Sequence, residues 1–174
     1  MSRQPDRLRD LAVGIVRKLQ QAGFSAFWVG GCVRDFLLGR SPDDYHIATS
    51  ALPEQIERTF EHTIPVGRQF GVIIVVEGEH QFQVATFRAE ADYQDGRHPE
   101  HISFGDAQAD AQRRDFTVNG LFFEPVLKKI HDWVDGEKDL RAKLIRTIGS
   151  PSARFSEDHL RLLRATPGRR SLRV

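Results

Sequence analysis

Sulfur is scarce in this chain, which has one cysteine (Cys32) and one methionine in 174 residues. A lone cysteine excludes an internal disulfide and fits a reducing compartment. No apolar run approaches the roughly 20 residues that span a bilayer. The opening residues, 1–7, also lack the apolar stretch of a secretory signal, so the sequence predicts a cytoplasmic protein without a membrane partner. Net charge is nearly absent, because 25 Lys and Arg against 24 Asp and Glu leave +1. No overall field therefore draws in a polyanion. The last stretch departs from this balance: Arg161, Arg164, Arg169, Arg170 and Arg173 follow one another with no acid between them. Such an end either attracts nucleic acid or is simply a solvated tail. Repeats and low-complexity segments are missing too. What remains, 40% hydrophobic and 28% charged residues, describes a soluble globular domain with a real core and at most a short appended segment.

Hydrophobic periodicity gives an α+β reading, a small mixed β-sheet carrying helices on one side. Leu8, Leu11, Ile15 and Leu19 recur at helical spacing, and Gly23 stops the run. Residues 24–29 are short, apolar and β-prone, and Gly30-Gly31 ends them. Residues 32–38 predict a helix closed by Gly39, and residues 45–49 a second strand. Pro53 opens a helix over 54–60, at a position where its missing N–H costs nothing. The β-branched run 71–77 suggests a strand buried on both faces, turning at Gly78-Glu79 into a hairpin with 80–87. A polar stretch, 89–99, has the length of a functional loop. Helical stretches are expected over 106–114 and 117–122, a short strand over 129–133, and a helix over 137–143.

The chemistry concentrates in Trp28-Val29-Gly30-Gly31-Cys32-Val33-Arg34-Asp35 and the following Pro42-Asp43-Asp44-Tyr45-His46-Ile47-Ala48-Thr49. Strand, glycine turn, helix and a second strand with a carboxylate near its start together make a site for a nucleoside triphosphate and its metal. Two glycines let the backbone approach a phosphate at a helix start; alone, they are far more often a plain turn. Residues two apart on a strand share a face, so Asp44 and His46 project together. Two carboxylates there would hold two Mg²⁺ ions. Neutral imidazole offers one lone pair and is a softer ligand than Mg²⁺ prefers. Asp43 points the other way, and Asp44 alone also reads as a turn acid after Pro42. On the next strand Gln83 stands where a third carboxylate would fit, but it is neutral. Arg88 either meets phosphate or pairs with Glu90.

Arg113-Arg114-Asp115-Phe116-Thr117-Val118-Asn119-Gly120 sets two cations, an acid, a hydroxyl and an amide close together. The set suits ribose and phosphate, or is an ordinary helix start with Asp115 near the cap. Asp158 and Arg161 are three apart, adjacent on a helix surface. One acceptor and one donor fork fit a base edge or an internal salt bridge.

In order and spacing these segments resemble the head and early neck of bacterial tRNA nucleotidyltransferases (CCA-adding enzymes) and bacterial poly(A) polymerases. Both belong to the polymerase-β-like nucleotidyltransferase superfamily. The resemblance covers residues 26–165. It implies an N-terminal helix over 1–24, a head domain over 25–146, and over 147–174 the start of a helical neck that reads as truncated at Pro167-Gly168. It also implies a metal-dependent enzyme using Mg²⁺, or Mn²⁺ in its place. That enzyme would add CMP and AMP from CTP and ATP to tRNA 3′ ends, or AMP to other RNA. By position, Gly30, Gly31 and Arg34 match the triphosphate segment, with Asp35 following, and Asp44 matches the first catalytic metal carboxylate. His46 falls at the second catalytic and metal-binding aspartate, and Gln83 at a position that is generally glutamate. Arg114, Asp115 and Asn119 match the ribose-recognition motif, and Asp132, Asp135 and Gly136 the next one. Glu157, Asp158 and Arg161 match the amino-acid template for the incoming base. The two departures imply an impaired copy, or an inactive nucleotide-binding remnant of the family.

Overall fold

The computed structural model describes residues 4–89 and 103–152. Helix α1 (Gln4–Gln21) turns Ala12, Ile15, Val16 and Leu19 inward, all fully buried. Trp28 of strand β1 (Ala26–Val29) donates its indole N–H to the Ala12 carbonyl across 3.3 Å, which pins the helix to the sheet. Gly30 leads into α2 (Gly31–Leu37). Then come β2 (His46–Thr49) and α3 (Pro53–Thr59), β3 (Thr63–Gly67), β4 (Val72–Glu77) and β5 (His80–Thr86). Helix α4 (Ala107–Gln112) precedes a single 3₁₀ turn, Thr117–Asn119. Strands β6 (Phe122–Glu124) and β7 (Lys129–His131) and helix α5 (Gly136–Arg141) complete the described elements.

One mixed sheet holds all seven strands of the described residues in the order β3-β4-β5-β2-β1-β6-β7. Only β2 and β5 pair in parallel; the other neighbours are antiparallel. Strand alternation splits the core between two faces. Trp28, Ile47, Ile73, Val75, Phe82, Val84 and Phe123 pack with α1, Val33 of α2 and Ile56 of α3. Their neighbours in the chain, Val29, Ala48 and Phe122, form a second cluster with Phe87 and Ala111 of α4, flanked by Phe27 and Trp133.

The expected fold class stands, with three corrections and one addition. Helices cover both faces, not one, because α4 lies over the aromatic side of β1 and β6. Residues 117–122 are not one helix. After a single turn, Phe122 and Phe123 enter β6, opposite Val29 and Trp28, since two consecutive aromatics can serve both faces of a strand but not one helix stripe. In β4 only Ile73 and Val75 are buried; Val72, Ile74 and Val76 stay half-exposed on a face that α4 does not reach. Strand β3 is an addition to the expected elements; it forms at the sheet edge, where the donor that Pro65 lacks is not needed. No helix among the described residues is long and apolar enough to cross a membrane.

Candidate nucleotide site

The candidate residues converge where β1 ends and β2 begins, beside Gln83 in the middle of β5, on the face shared with α4. Gly30 takes φ +76°, a left-handed conformation that favours glycine. A Cβ there would sit 3.4 Å from Arg114 Nη1, and one on Gly31 would sit 3.5 Å from Arg34 Nη2. Two arginines distant in sequence thus close on the two glycines. Gly30 also gives α2 no side-chain cap, so no side chain competes for the first-turn N–H groups. Cys32 ties this turn to β2, its thiol donating to the Val29 carbonyl at 3.2 Å and more weakly to the His46 carbonyl at 3.9 Å. Burial pushes the Cys32 thiol up to about 11, so it stays protonated at neutral pH.

Arg34 is nearly buried, at 6% exposure. Its Nε and Nη2 donate to the two carboxylate oxygens of Asp35 at 3.0 and 3.3 Å. Nη1 donates to Asn119 Oδ1 at 3.0 Å. Asn119 in turn donates through Nδ2 to Asp115 Oδ1 at 3.3 Å, which also accepts the Phe116 N–H at 2.8 Å. The sequence motifs at 30–35 and 114–119 are therefore joined into one network, Asp35–Arg34–Asn119–Asp115. In it Arg34 acts as a strut between α2 and the 3₁₀ turn.

Arg114 lies with its guanidinium carbon 5.1 Å from the Phe122 ring centre. Its Nε and Nη2 donate to Asp110 Oδ2 at 3.2 and 2.7 Å. Arg113 holds the other oxygen of Asp110, at 3.0 and 2.6 Å, and the Arg88 N–H reaches that oxygen at 3.1 Å. Burial works to raise the Asp110 pKa, but Arg114 and Arg113 together hold it below the usual carboxylate value. Sequence reading passed over Asp110. Its signal was the spacing to Arg113 and Arg114, three and four residues on, which places all three on one helix surface.

Asp44 and His46 do come together, with Asp44 Oδ2 3.5 Å from His46 Nε2. Both are exposed, as a solvent-facing ligand site requires. Gln83 stands beside His46 in the parallel register of β2 and β5. Two Mg²⁺ ions need several anionic oxygens. Here one carboxylate, one imidazole and one neutral amide are on offer, and no group of three His, Cys, Asp or Glu side chains gathers among the described residues. This donor set does not fit a Mg²⁺ pair.

Asp132 caps α5, its carboxylate accepting the N–H groups of Val134, Gly136 and Glu137 at 3.1, 3.0 and 2.9 Å. Asp135 starts that helix in the left-handed region, at φ +61°. Glu157, Asp158 and Arg161 of the expected base template, the 89–99 stretch beyond Ala89, and Glu90 lie outside the described residues.

A family model described as the poly A polymerase head domain matches residues 26–146. The CCA-adding enzyme of Staphylococcus aureus (strain MRSA252) is 46% identical over 151 residues, covering 86% of this chain and 38% of that protein. The Bacillus stearothermophilus CCA-adding enzyme, solved in complex with CTP, superposes with a TM-score of 0.80 at 38% identity, over 94% of this chain and 38% of that one. A tRNA nucleotidyltransferase complexed with a primer tRNA and an incoming ATP analogue superposes at 0.63, with 26% identity, over 87% of this chain and 43% of that one. The chain thus spans about two fifths of the length of the curated relatives it matches.

Proposed function

The chain belongs to the poly A polymerase head-domain family, and from that premise we propose that it is the nucleotide-binding head of an RNA 3′-end nucleotidyltransferase whose metal chemistry is attenuated. The donors would be CTP and ATP, and the acceptor the 3′ end of tRNA, or another RNA if only AMP is added. The observation that carries the reading is the closing of Arg34 and Arg114 on Gly30-Gly31, braced by Asp35, Asn119 and Asp115. Such a cradle brings backbone N–H groups and fixed cations to one place, which suits a triphosphate more than any uncharged ligand. Relatives described as bound to CTP or to an ATP analogue with tRNA support the same class of substrate.

The residues of this chain bind and orient. Gly30 and Gly31 leave room for the phosphates, Arg34 and Arg114 border the turn, and Asn119 holds Arg34 in place. Divalent metal ions supply transition-state charge neutralisation in such transfers, but Asp44 with His46 and Gln83 is a poor donor set for Mg²⁺, and no step is assigned through it. A second reading, an inactive nucleotide-binding remnant, draws on that same mismatch.

The test is incorporation of labelled CTP and ATP onto tRNA lacking its 3′ end, with binding of both nucleotides measured alongside. The proposal expects slow addition of C, C and A, or of A alone, together with nucleotide binding. Binding without addition, even after prolonged incubation with Mg²⁺ or Mn²⁺, selects the remnant. Absence of binding to either nucleotide at millimolar concentration in folded protein overturns both.

A further inference from the structure

Asp110 is 1% exposed, yet it lies outside every motif the sequence singled out. Its two oxygens are divided by task. Oδ1 serves the scaffold, accepting from Arg113 Nε and Nη2 and from the Arg88 backbone at the end of β5. Among the described residues Oδ2 accepts only from Arg114, through Nε and Nη2. That grip uses two of the three guanidinium nitrogens. The third, Nη1, has no protein acceptor among the described residues and is the atom nearest the position of a Cβ on Gly30, at 3.4 Å. The Phe122 ring supports the guanidinium, which fixes its plane as well as its place. A long side chain that would otherwise sample many rotamers is thereby held with one donor nitrogen aimed at the glycine turn.

We propose that Asp110 is a positioning residue for nucleotide binding, one that acts through Arg114 by presenting Nη1 to the triphosphate or ribose oxygens at Gly30-Gly31. The inference rests on the functional reading above. Its chemical logic is preorganisation: an arginine already fixed by a buried carboxylate loses less freedom when an anion arrives. The same carboxylate tempers the net positive charge of the Arg113-Arg114 pair without occupying the nitrogen that faces the ligand.

A purely structural role for Asp110 would lower thermal stability and nothing else. A positioning role makes its effect on nucleotide binding depend on Arg114, which a double-mutant cycle measures. The experiment is titration of ATP and CTP into the full chain and into Asp110→Asn, Arg114→Lys and the double variant, with melting temperatures recorded in parallel. An asparagine keeps the shape but turns an N–H₂ toward one of the two arginines in either orientation. We expect each single variant to weaken binding about tenfold, and the double variant also about tenfold rather than a hundredfold, since both remove the same contact. Should Asp110→Asn fail to fold, Asp110→Glu takes its place in the cycle, keeping the charge while displacing its oxygens. Wild-type affinity in a folded Asp110 variant, or an additive hundredfold loss in the double variant, overturns the inference and leaves the functional reading intact. A folded wild-type chain that binds neither nucleotide overturns both.

Discussion

At the scale of single residues, the site divides into groups locked by burial and groups left open to water. Arg34, Asp110 and Asp115 are buried and bonded, so each has one place to be. Asp44 and His46 are exposed, and their 3.5 Å approach is loose for a hydrogen bond. Imidazole cannot bridge two ions as a carboxylate can, which is why position 46 weighs more on chemistry than on binding. Cys32 belongs to the locked group. Its thiol is buried and its pKa is pushed up by desolvation, so little thiolate exists at neutral pH. Native protein at pH 7.5 should therefore react with a disulfide reagent at least about 10²-fold more slowly than protein unfolded in guanidinium, because burial removes both access and charge. Equal rates in the two states would contradict the burial of this turn. Asp44 lies just before β2, not in it, so its approach to His46 is set by the chain leading into the strand and not by strand alternation. Asp110 escaped notice because a buried ion pair and a solvated helix surface have the same spacing.

At the scale of elements, the second half of the site depends on how α5 meets the 3₁₀ turn. A Cβ on Gly136 would overlap the Thr117 carbonyl oxygen and come within 2.9 Å of Leu121 Cγ. Backbone cannot yield there as a flexible side chain would. Gly136→Ala is therefore expected to destabilise the fold by about 2 kcal/mol through overpacking, read as a lowered urea midpoint with an unchanged slope. An unaltered midpoint would show that α5 does not press on this turn. The contact also carries Thr117 Oγ1 to Asp139 Oδ2 at 2.7 Å, and Arg146 Nε to the same oxygen at 3.0 Å. Elements with a strong period or a clear stop were legible: α1 from its apolar stripe, α2 from the flanking glycines, and the β4–β5 hairpin from Gly78. Those set by tertiary contact were not. Phe122-Phe123 looks helical after Thr117-Val118-Asn119 and becomes a strand only because β1 offers an open edge.

At the scale of the whole molecule, seven strands bring together residues 85 positions apart, as Arg34 and Asn119 show. That convergence is invisible to local pattern, although the family resemblance placed the same residues in one site. Two of the buried carboxylates, Asp110 and Asp139, have lowered pKa values. For Asp110 burial is outweighed by Arg114 and Arg113; for Asp139 it is outweighed by the hydrogen bonds from Arg146 and Thr117. A carboxylate with a depressed folded pKa binds fewer protons in the native than in the unfolded state. Its contribution is complete above the unfolded value, 3.8, and is lost as pH falls through the folded one. Urea midpoints should therefore be flat above about pH 5 and fall steeply below about pH 4, with Asp110→Asn showing a shallower acid limb. A wild-type midpoint that is constant down to pH 3 would contradict this account of the two ion pairs.

The central claim is an intact nucleotide cradle beside a weakened metal site. It is tested most directly by single-turnover nucleotide addition at saturating CTP or ATP and Mg²⁺, comparing the natural chain with His46→Asp. Saturation removes differences in nucleotide binding, so the ratio reports chemistry alone. A missing metal ligand is worth several kcal/mol at the transition state, so the account predicts that His46→Asp is faster by about 10³-fold. Equal rates in the two proteins would contradict it, and would mean that His46 serves this site as well as aspartate does.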